Sequence, residues 1–252
     1  MEPTEVSVSN GESRDPGRIR VMFDRVSPRY DLLNHLLSLN LDRRWRKAAA
    51  AELADGDTTA NVLDLCGGTG DLSIELARSS PTRSVICCDF SHAMLSLARP
   101  KFDRHQLSDR CHTLEADGLR LPFASGSFDA VTVAFGVRNL VDMDAGFREM
   151  HRVLRPGGRL IVLEFSRPKA RPLAALYRFY LRQVLPRLGD GISGKTGPYL
   201  YLARTIRDFP DPPSLAGRIR DAGFGACGWR RLSGGIVATH TAFKETGRPE
   251  VR

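Results

Sequence analysis

Short apolar runs recur along the middle of the chain at residues 61–65, 84–89, 111–116, 128–135 and 159–165, separated by stretches with helical spacing near residues 71–78, 92–102 and 144–154. The run Ala130-Val131-Thr132-Val133-Ala134-Phe135 has almost no polar alternation. That is the pattern of a strand covered by helices on both faces. The alternation therefore predicts an α/β domain with a doubly wound, parallel sheet. Pro156-Gly157-Gly158 is expected to stop the third helix and turn the chain into the next strand. Upstream, residues 18–54 read as helical, with Tyr30, Leu33, Leu36 and Leu37 at helix spacing before Trp45. Downstream, residues 168–213 form a basic, aromatic helical insertion containing Tyr177, Phe179, Tyr180, Tyr199 and Tyr201. Ordinary alternation then resumes. A helix is predicted over 215–222, closed by Gly223, followed by strands at 228–232 and 236–243 joined through Ser233-Gly234-Gly235. Such a hairpin at the sheet edge makes the sheet mixed.

Composition narrows the picture. A chain of 252 residues suits one elaborated domain, expected here over 18–244, with a polar, disordered leader at 1–17 and a short tail at 245–252. Lys plus Arg number 37 against 29 Asp plus Glu, a net charge of +8. That excess fits nucleic acid, an anionic membrane surface or a solvated exterior, the last being commonest. No separate nucleic-acid module or basic stripe with stacking aromatics accompanies it. Cysteines 66, 87, 88, 111 and 227 are odd in number and lack C-x-x-C spacing, which argues against a disulfide framework or a zinc site and for a reducing, cytoplasmic setting. No run of about eighteen apolar residues suggests a membrane span, and the start has no signal-peptide pattern.

The chemistry is concentrated at the strand ends. Val62-Leu63-Asp64-Leu65-Cys66-Gly67-Gly68-Thr69-Gly70 carries a buried-strand pattern into a glycine turn, and Asp89 ends the next apolar run nineteen residues beyond Gly70. Glycines allow close approach to a ligand, and a carboxylate at the second strand end can accept from ribose hydroxyls. A dinucleotide fingerprint would need a third glycine where Ser73 stands, and Asp71 would repel phosphate. S-adenosylmethionine has no phosphate and bears a positive sulfonium, so Asp64, Asp71 and Asp89 suit it better. Asp117, with Gly118 beside it, is placed to meet an adenine amine or, equally from local sequence, to cap a turn before Leu119. Arg138 and Asn139 follow the fourth strand in a loop expected to open into the site. Tyr30 and Asn34, one helical turn apart, are placed to close over the ligand, although Tyr30 also suits a core aromatic. His151 lies on an apolar stripe with Phe147, Met150 and Leu154 and reads as a core histidine rather than a base.

Residues 30–38, extending to Arg43-Arg44-Trp45, and residues 152–166, Arg-Val-Leu-Arg-Pro-Gly-Gly-Arg-Leu-Ile-Val-Leu-Glu-Phe-Ser, resemble signatures of the ubiquinone/menaquinone biosynthesis C-methyltransferase family. Gly67-Gly68-Thr69-Gly70-Asp71, Leu121-Pro122-Phe123, Phe135-Gly136-Val137-Arg138-Asn139 and Val184-Leu185-Pro186-Arg187 agree as well. The resemblance, from about residue 21 to 244, implies a class I S-adenosylmethionine-dependent methyltransferase fold with a seven-stranded, mostly parallel sheet and a C-terminal antiparallel hairpin. It implies S-adenosylmethionine as cofactor and C-methylation of a polyprenylated quinol, demethylmenaquinol in the first place. A ubiquinone-pathway quinol is the alternative, and an RNA or protein methyltransferase a more distant one.

Carried over by position, the family's cofactor contacts fall on Thr69, Asp89, Asp117 and Gly118. A further contact, usually a serine, falls on Ala134, which cannot make its hydrogen bond. Asp42 stands where many members have histidine and Leu33 where many have methionine. For such a reaction, Arg138 would favour the quinol phenolate and Asn139 would orient it, because the anion feeds charge to the ring carbon that takes the methyl group. The insertion would admit the lipid tail at a membrane surface, giving a cytoplasmic protein that sits peripherally at the inner face. Nucleic acid is not expected as a partner, and self-association is left open.

Overall fold

The computed structural model describes residues 16–27, 30–53, 61–185, 187 and 198–246. Three helices come first: α1 (Pro16–Val26), α2 (Tyr30–Leu37) and α3 (Leu41–Ala51). Alternation follows through β1 (Asn61–Leu65), α4 (Asp71–Arg78), β2 (Ser84–Asp89), α5 (His92–Arg104), β3 (Cys111–Glu115), β4 (Phe128–Ala134), α6 (Met143–Val153) and β5 (Leu154–Phe165). Then come α7 (Arg171–Phe179), continued by a wider π-helical turn at Tyr180–Val184, α8 (Pro198–Asp208), α9 (Pro212–Asp221), β6 (Cys227–Leu232) and β7 (Val237–Phe243).

The strand order is β3-β2-β1-β4-β5-β7-β6, parallel through β5, with β7 antiparallel to both β5 and β6. The expected mixed sheet is therefore present, and β6 rather than β7 takes the edge. Strand periodicity decides which side each residue feeds. Leu63 and Leu65 of β1 join Val131, Val133, Leu160 and Val162 under α6 and α9. Val62, with Ala130, Ile161 and Leu163, packs instead under α3, α4 and α5. Two cores thus sandwich the sheet, which explains the unbroken apolar runs. The order reverses between β1 and β4, so their carboxyl ends open the crevice where α/β sheets bind ligands.

Several boundaries depart from the sequence expectation. The single leading helix is three helices: Leu39 and Asn40, both left-handed at φ 53° and 59°, separate α2 from α3, while residues 28 and 29, between α1 and α2, lie outside the described residues. Of the leader, residues 16 and 17 open α1, while 1–15 lie outside the described residues, as do 247–252 of the tail. Pro156-Gly157-Gly158 lies within β5 rather than before it. Phe128 pairs with Leu154 and Ala130 with Arg159, so the excess residues bulge out, with Gly157 at φ 78°. Pro213 belongs to α9, which Asp211 caps by accepting from the Ser214 N–H at 3.0 Å. The insertion therefore ends before α9.

Candidate active site

The glycine turn after β1 is shaped by three distinct demands. A Cβ on Gly67 would meet the Cys87 sulfur at 2.6 Å, and one on Gly70 would meet the Phe102 ring at 2.6 Å. These two glycines serve packing, and Gly70 lines neither of the cavities described below. Gly68, at φ 56°, would point a Cβ into open space, the place a bound molecule would fill. Its N–H donates to Asp89 Oδ2 at 2.9 Å, and Ser91 N–H donates to Oδ1 at 2.9 Å. Asp89 is thus aimed by backbone, and burial raises its carboxyl to about pH 6 despite those bonds.

Around these groups lies a cavity of about 480 Å³, lined by Gly68, Asp89, Phe90, Asp117, Gly118 and Ala134, with Asn139 and Tyr30 also in its wall. Its volume falls in the range of small-molecule sites. Asp117 performs the turn-capping role as well, accepting from the Leu119 N–H at 2.9 Å, while lining the cavity. Acceptors at one end, a glycine cradle and apolar walls fit an adenosine-bearing cofactor without phosphate. The N-terminus of α4 carries Asp71, itself tied to Lys101, so an anion has no place there.

Asp64 does not join this lining. It is completely buried and accepts from Ser73 Oγ at 2.6 Å and Thr132 Oγ1 at 3.1 Å, and burial raises it to about pH 6. Its observed partners tie the end of β1 to β4 and α4. Thr69 is equally occupied, donating to Asp31 Oδ1 at 2.5 Å and accepting from Lys101 Nζ at 3.2 Å.

A second cavity, about 750 Å³ and mainly apolar, lies between α2, α3, α7, α8 and the ends of β4 and β5. Leu37, Trp45, Phe165, Leu181 and Ile206 form much of its wall. The two cavities share Tyr30, Cys66, Gly68, Ala134 and Phe135. Cys66 and Phe135 both adopt left-handed backbone conformations, φ 55° and 58°, unusual for residues with side chains. Strain of this kind persists only where the surroundings enforce it. Here Phe135 packs on Phe165 at 4.7 Å between ring centres, with Arg46 over its face at 5.5 Å. Ala134 leaves room at this junction where a serine would project a hydroxyl.

Arg138 and Asn139 fall on opposite sides of it. Arg138 lines the apolar cavity and Asn139 the polar one, where it accepts from Tyr201 Oη at 3.3 Å. Arg138 is buried, and its Nη1 donates to Glu164 at 3.0 and 3.1 Å and to the Phe135 carbonyl. Glu164 was missed in the sequence, although an acid inside the apolar run Leu160–Phe165 is a signal for a buried partner. The arginine is therefore not a free cation; among the described residues its side-chain hydrogen bonds all run through Nη1, and its Nε–H is buried without a partner.

Tyr30 sits at the junction, hydrogen-bonded to Asn34, and burial raises its phenol, against the pull of Arg138 and Arg46. A second missed feature holds α2 in place. Lys101 bonds Asp31 at 2.8 Å and also pairs with Asp71, so α2 is clasped to the glycine turn. Asp42, buried, pairs with Arg46, His35 and Ser38; burial opposes its ionisation, but these partners hold it below the usual carboxylate range. His151 lies outside both cavities against Phe224, 5.0 Å between ring centres.

Solved structures with this arrangement include the cyclase SpnF, with a TM-score of 0.67 at 19% identity, covering 91% of this chain and 96% of that one. A possible histamine N-methyltransferase from Thermotoga maritima gives 0.61 at 18%, covering 90% and 100%. At such identities they establish the fold alone, that of the class I methyltransferases. Sequence similarity is closer. Residues 10–244 match the ubiE/COQ5 methyltransferase family, and the chain belongs to it. Among its relatives is a demethylmenaquinone methyltransferase of Deinococcus radiodurans, 47% identical over 90% of this chain and 93% of that protein. Another of that description, from Thermus thermophilus, is 45% identical over 87% and 98%.

Proposed function

We propose that the protein methylates a ring carbon of demethylmenaquinol with S-adenosylmethionine as the donor. The observation that carries this reading is the meeting of an adenosine-sized cavity bearing the Asp89 and Asp117 carboxylates with a larger, more apolar one at Tyr30, Cys66, Ala134 and Phe135. A lipid-tailed ring and a polar cofactor need such separate compartments and a single point of contact.

S-adenosylmethionine, when bound, supplies an electrophilic methyl group on a positive sulfonium. Asp89 accepts from its ribose hydroxyls, Gly68 lets the backbone come close, and Asp117 with Gly118 receives the adenine. On the other side, the Arg138 Nε–H holds negative charge at the quinol oxygen next to the methylated carbon, raising that carbon's nucleophilicity. Glu164 orients the guanidinium, and Asn139 faces the cofactor side of the same turn. Tyr30, Phe135 and Trp45 exclude water. The new carbon–carbon bond would form as the methyl–sulfur bond breaks, with S-adenosylhomocysteine as the leaving group, and the ring hydrogen would then be lost as a proton to solvent.

The mouth of the apolar cavity supports peripheral membrane contact. Leu36, Leu39, Leu176 and Phe179 line it and are 48%, 80%, 64% and 58% exposed. Arg43, Arg44, Arg178 and Arg182 stand exposed on the same helices or just beyond them. Exposed apolar side chains with exposed arginines nearby in the chain suit an anionic bilayer, from which a prenyl tail must be drawn. Among the described residues no helix is long and apolar enough to cross a membrane.

The test is incubation with methyl-labelled S-adenosylmethionine and either demethylmenaquinol or a ubiquinone-pathway quinol, with mass spectrometry of the products. Label on the naphthoquinol ring carbon is expected. Label only on the ubiquinone precursor favours the alternative substrate, and label only on RNA or protein overturns the reading.

A further inference from the structure

The apolar cavity contains few polar groups, and nearly all of them are already engaged. Ser38 donates to Asp42 at 2.7 Å, Tyr180 donates to the Leu37 carbonyl at 2.7 Å, and Tyr30 is bonded to Asn34. Arg46 is paired with Asp42, and Asp64 and Thr69 are occupied as described above. Among the described side chains of this wall, two buried polar atoms have no partner: Arg138 Nε and Tyr177 Oη. Both residues are more than nine-tenths buried, at 7% and 8% exposure.

A buried hydroxyl without a partner is unfavourable, and proteins rarely leave one without a use. Tyr177 is fixed by its surroundings. It lies on α7 within a cluster formed with Leu33, Leu181, Leu185 and Ile206, while the neighbouring Tyr180 ties this helix to α2. The phenol cannot easily turn away to find water. Burial also raises its ionisation above that of a free tyrosine, so it remains a hydrogen-bond donor throughout the neutral range.

Arg138 and Tyr177 both line the apolar cavity, and two unpartnered donors on residues of one wall suit a ligand with two acceptor oxygens on an otherwise apolar body. Resting on the proposed quinol methylation, we infer that Tyr177 is a substrate-binding residue whose phenol donates to the second ring oxygen, the one remote from the methylated carbon, while Arg138 serves the first. The pair thereby reads a para-dioxygenated ring and fixes which ring carbon meets the cofactor. A ring with one oxygen would leave the Tyr177 hydroxyl unpaired, which disfavours it.

The experiment compares the full-length protein with Tyr177→Phe on two substrates: demethylmenaquinol, and a 1-naphthol carrying the same chain but lacking the second hydroxyl. Because the hydroxyl has no protein partner, Tyr177→Phe is expected to melt no lower than the parent. For the quinol, kcat/KM should fall about tenfold, mostly through KM, as for the loss of one hydrogen bond. With the 1-naphthol, the two proteins should be equally active. A fall of the same proportion on both substrates overturns the assignment, as does a lowered melting temperature. Failure of the parent protein to methylate the quinol at all overturns the functional reading, and the inference with it. Loss confined to the quinol, with undiminished S-adenosylmethionine affinity, supports it.

Discussion

The two cavities are built in different ways. The smaller one is floored by strand ends and the turns that follow them, Gly68 after β1, Asp89 at the end of β2, Asp117 and Gly118 after β3 and Ala134 at the end of β4, and is completed by Ile19, Arg20 and Phe23 of α1 and Tyr30 of α2. Backbone geometry fixes it, since Gly68 and Ser91 aim the Asp89 carboxylate through main-chain N–H groups. The apolar one is assembled from helices distant in sequence, with α2 and α7 joined by the Tyr180–Leu37 bond and the packing of Leu33 against Tyr177 and Leu181. On the proposed reading, the groups that receive the cofactor's ribose and adenine are set locally by the sheet, whereas the substrate's cavity depends mainly on long-range helix packing.

The most severe separation of the two should come from Asp89→Ala. Charge-assisted bonds to two ribose hydroxyls contribute about 1.5–3 kcal/mol each, so cofactor affinity should drop at least about a hundredfold by calorimetry. Quinol binding should be nearly unchanged. Unaltered cofactor affinity in a folded variant would remove Asp89 from the site.

Arg138→Lys probes the other half. Replacing the arginine by alanine would leave Glu164 buried and unpaired, a loss of about 3–5 kcal/mol in stability that would obscure catalysis. Lysine keeps the charge for Glu164 and removes the Nε–H. Turnover should fall on the order of a hundredfold, the usual effect of losing one preorganised donor, with cofactor affinity retained. A parallel loss of both would make Arg138 scaffolding.

Asp89 also makes the polar half sensitive to pH. Its folded carboxyl titrates at about 6, and the ionised form accepts from ribose, so cofactor affinity should be level above pH 7 and fall up to about tenfold per unit below 6. Stability without cofactor should move the other way from this group and Asp64. Both have folded values raised above the unfolded carboxylate range, so the folded state takes up protons first and gains stability as pH falls from about 6 towards 4. Titrating affinity and melting temperature together checks both signs. An affinity independent of pH between 5 and 7 would contradict the role given to Asp89.

The smallest effect is expected at the rim. Leu176→Gln with Phe179→Gln removes exposed apolar surface and little packing, so stability should hold. Sedimentation with phosphatidylglycerol vesicles should decrease severalfold. Activity on a tail-less quinol should be spared relative to the long-chain substrate. Equal losses on both would show that this rim does not handle the tail. Leu181 is less informative, being part of a packed cluster as well as of the cavity wall.

The same contrast explains what could be read from the residues alone. The alternation of strands and helices, the glycine turn, Asp89 and Asp117 follow from local rules of backbone conformation and sheet topology. The long-range partners do not. Glu164 lies 26 residues from Arg138, and Lys101 lies 70 from Asp31, so only folding reveals that they meet. Asp64 shows the opposite difficulty. Its position in the motif suggested a ligand contact, but the neighbouring Ser73 hydroxyl, one helical turn into α4, takes the carboxylate first. The break in the first helix at Leu39 and Asn40 was hidden because only the backbone angles disclose it.

The central claim is that cofactor and quinol enter separate cavities and meet at Tyr30, Cys66, Ala134 and Phe135. A crystal structure with S-adenosylhomocysteine and a short-chain menaquinone analogue tests it most directly. The account predicts ribose hydroxyls on Asp89, the purine beside Asp117 and Gly118, and the quinone ring against Phe135 with its oxygens towards Arg138 and Tyr177. Density for the ring outside the apolar cavity, or for the nucleoside away from Asp89, would contradict it.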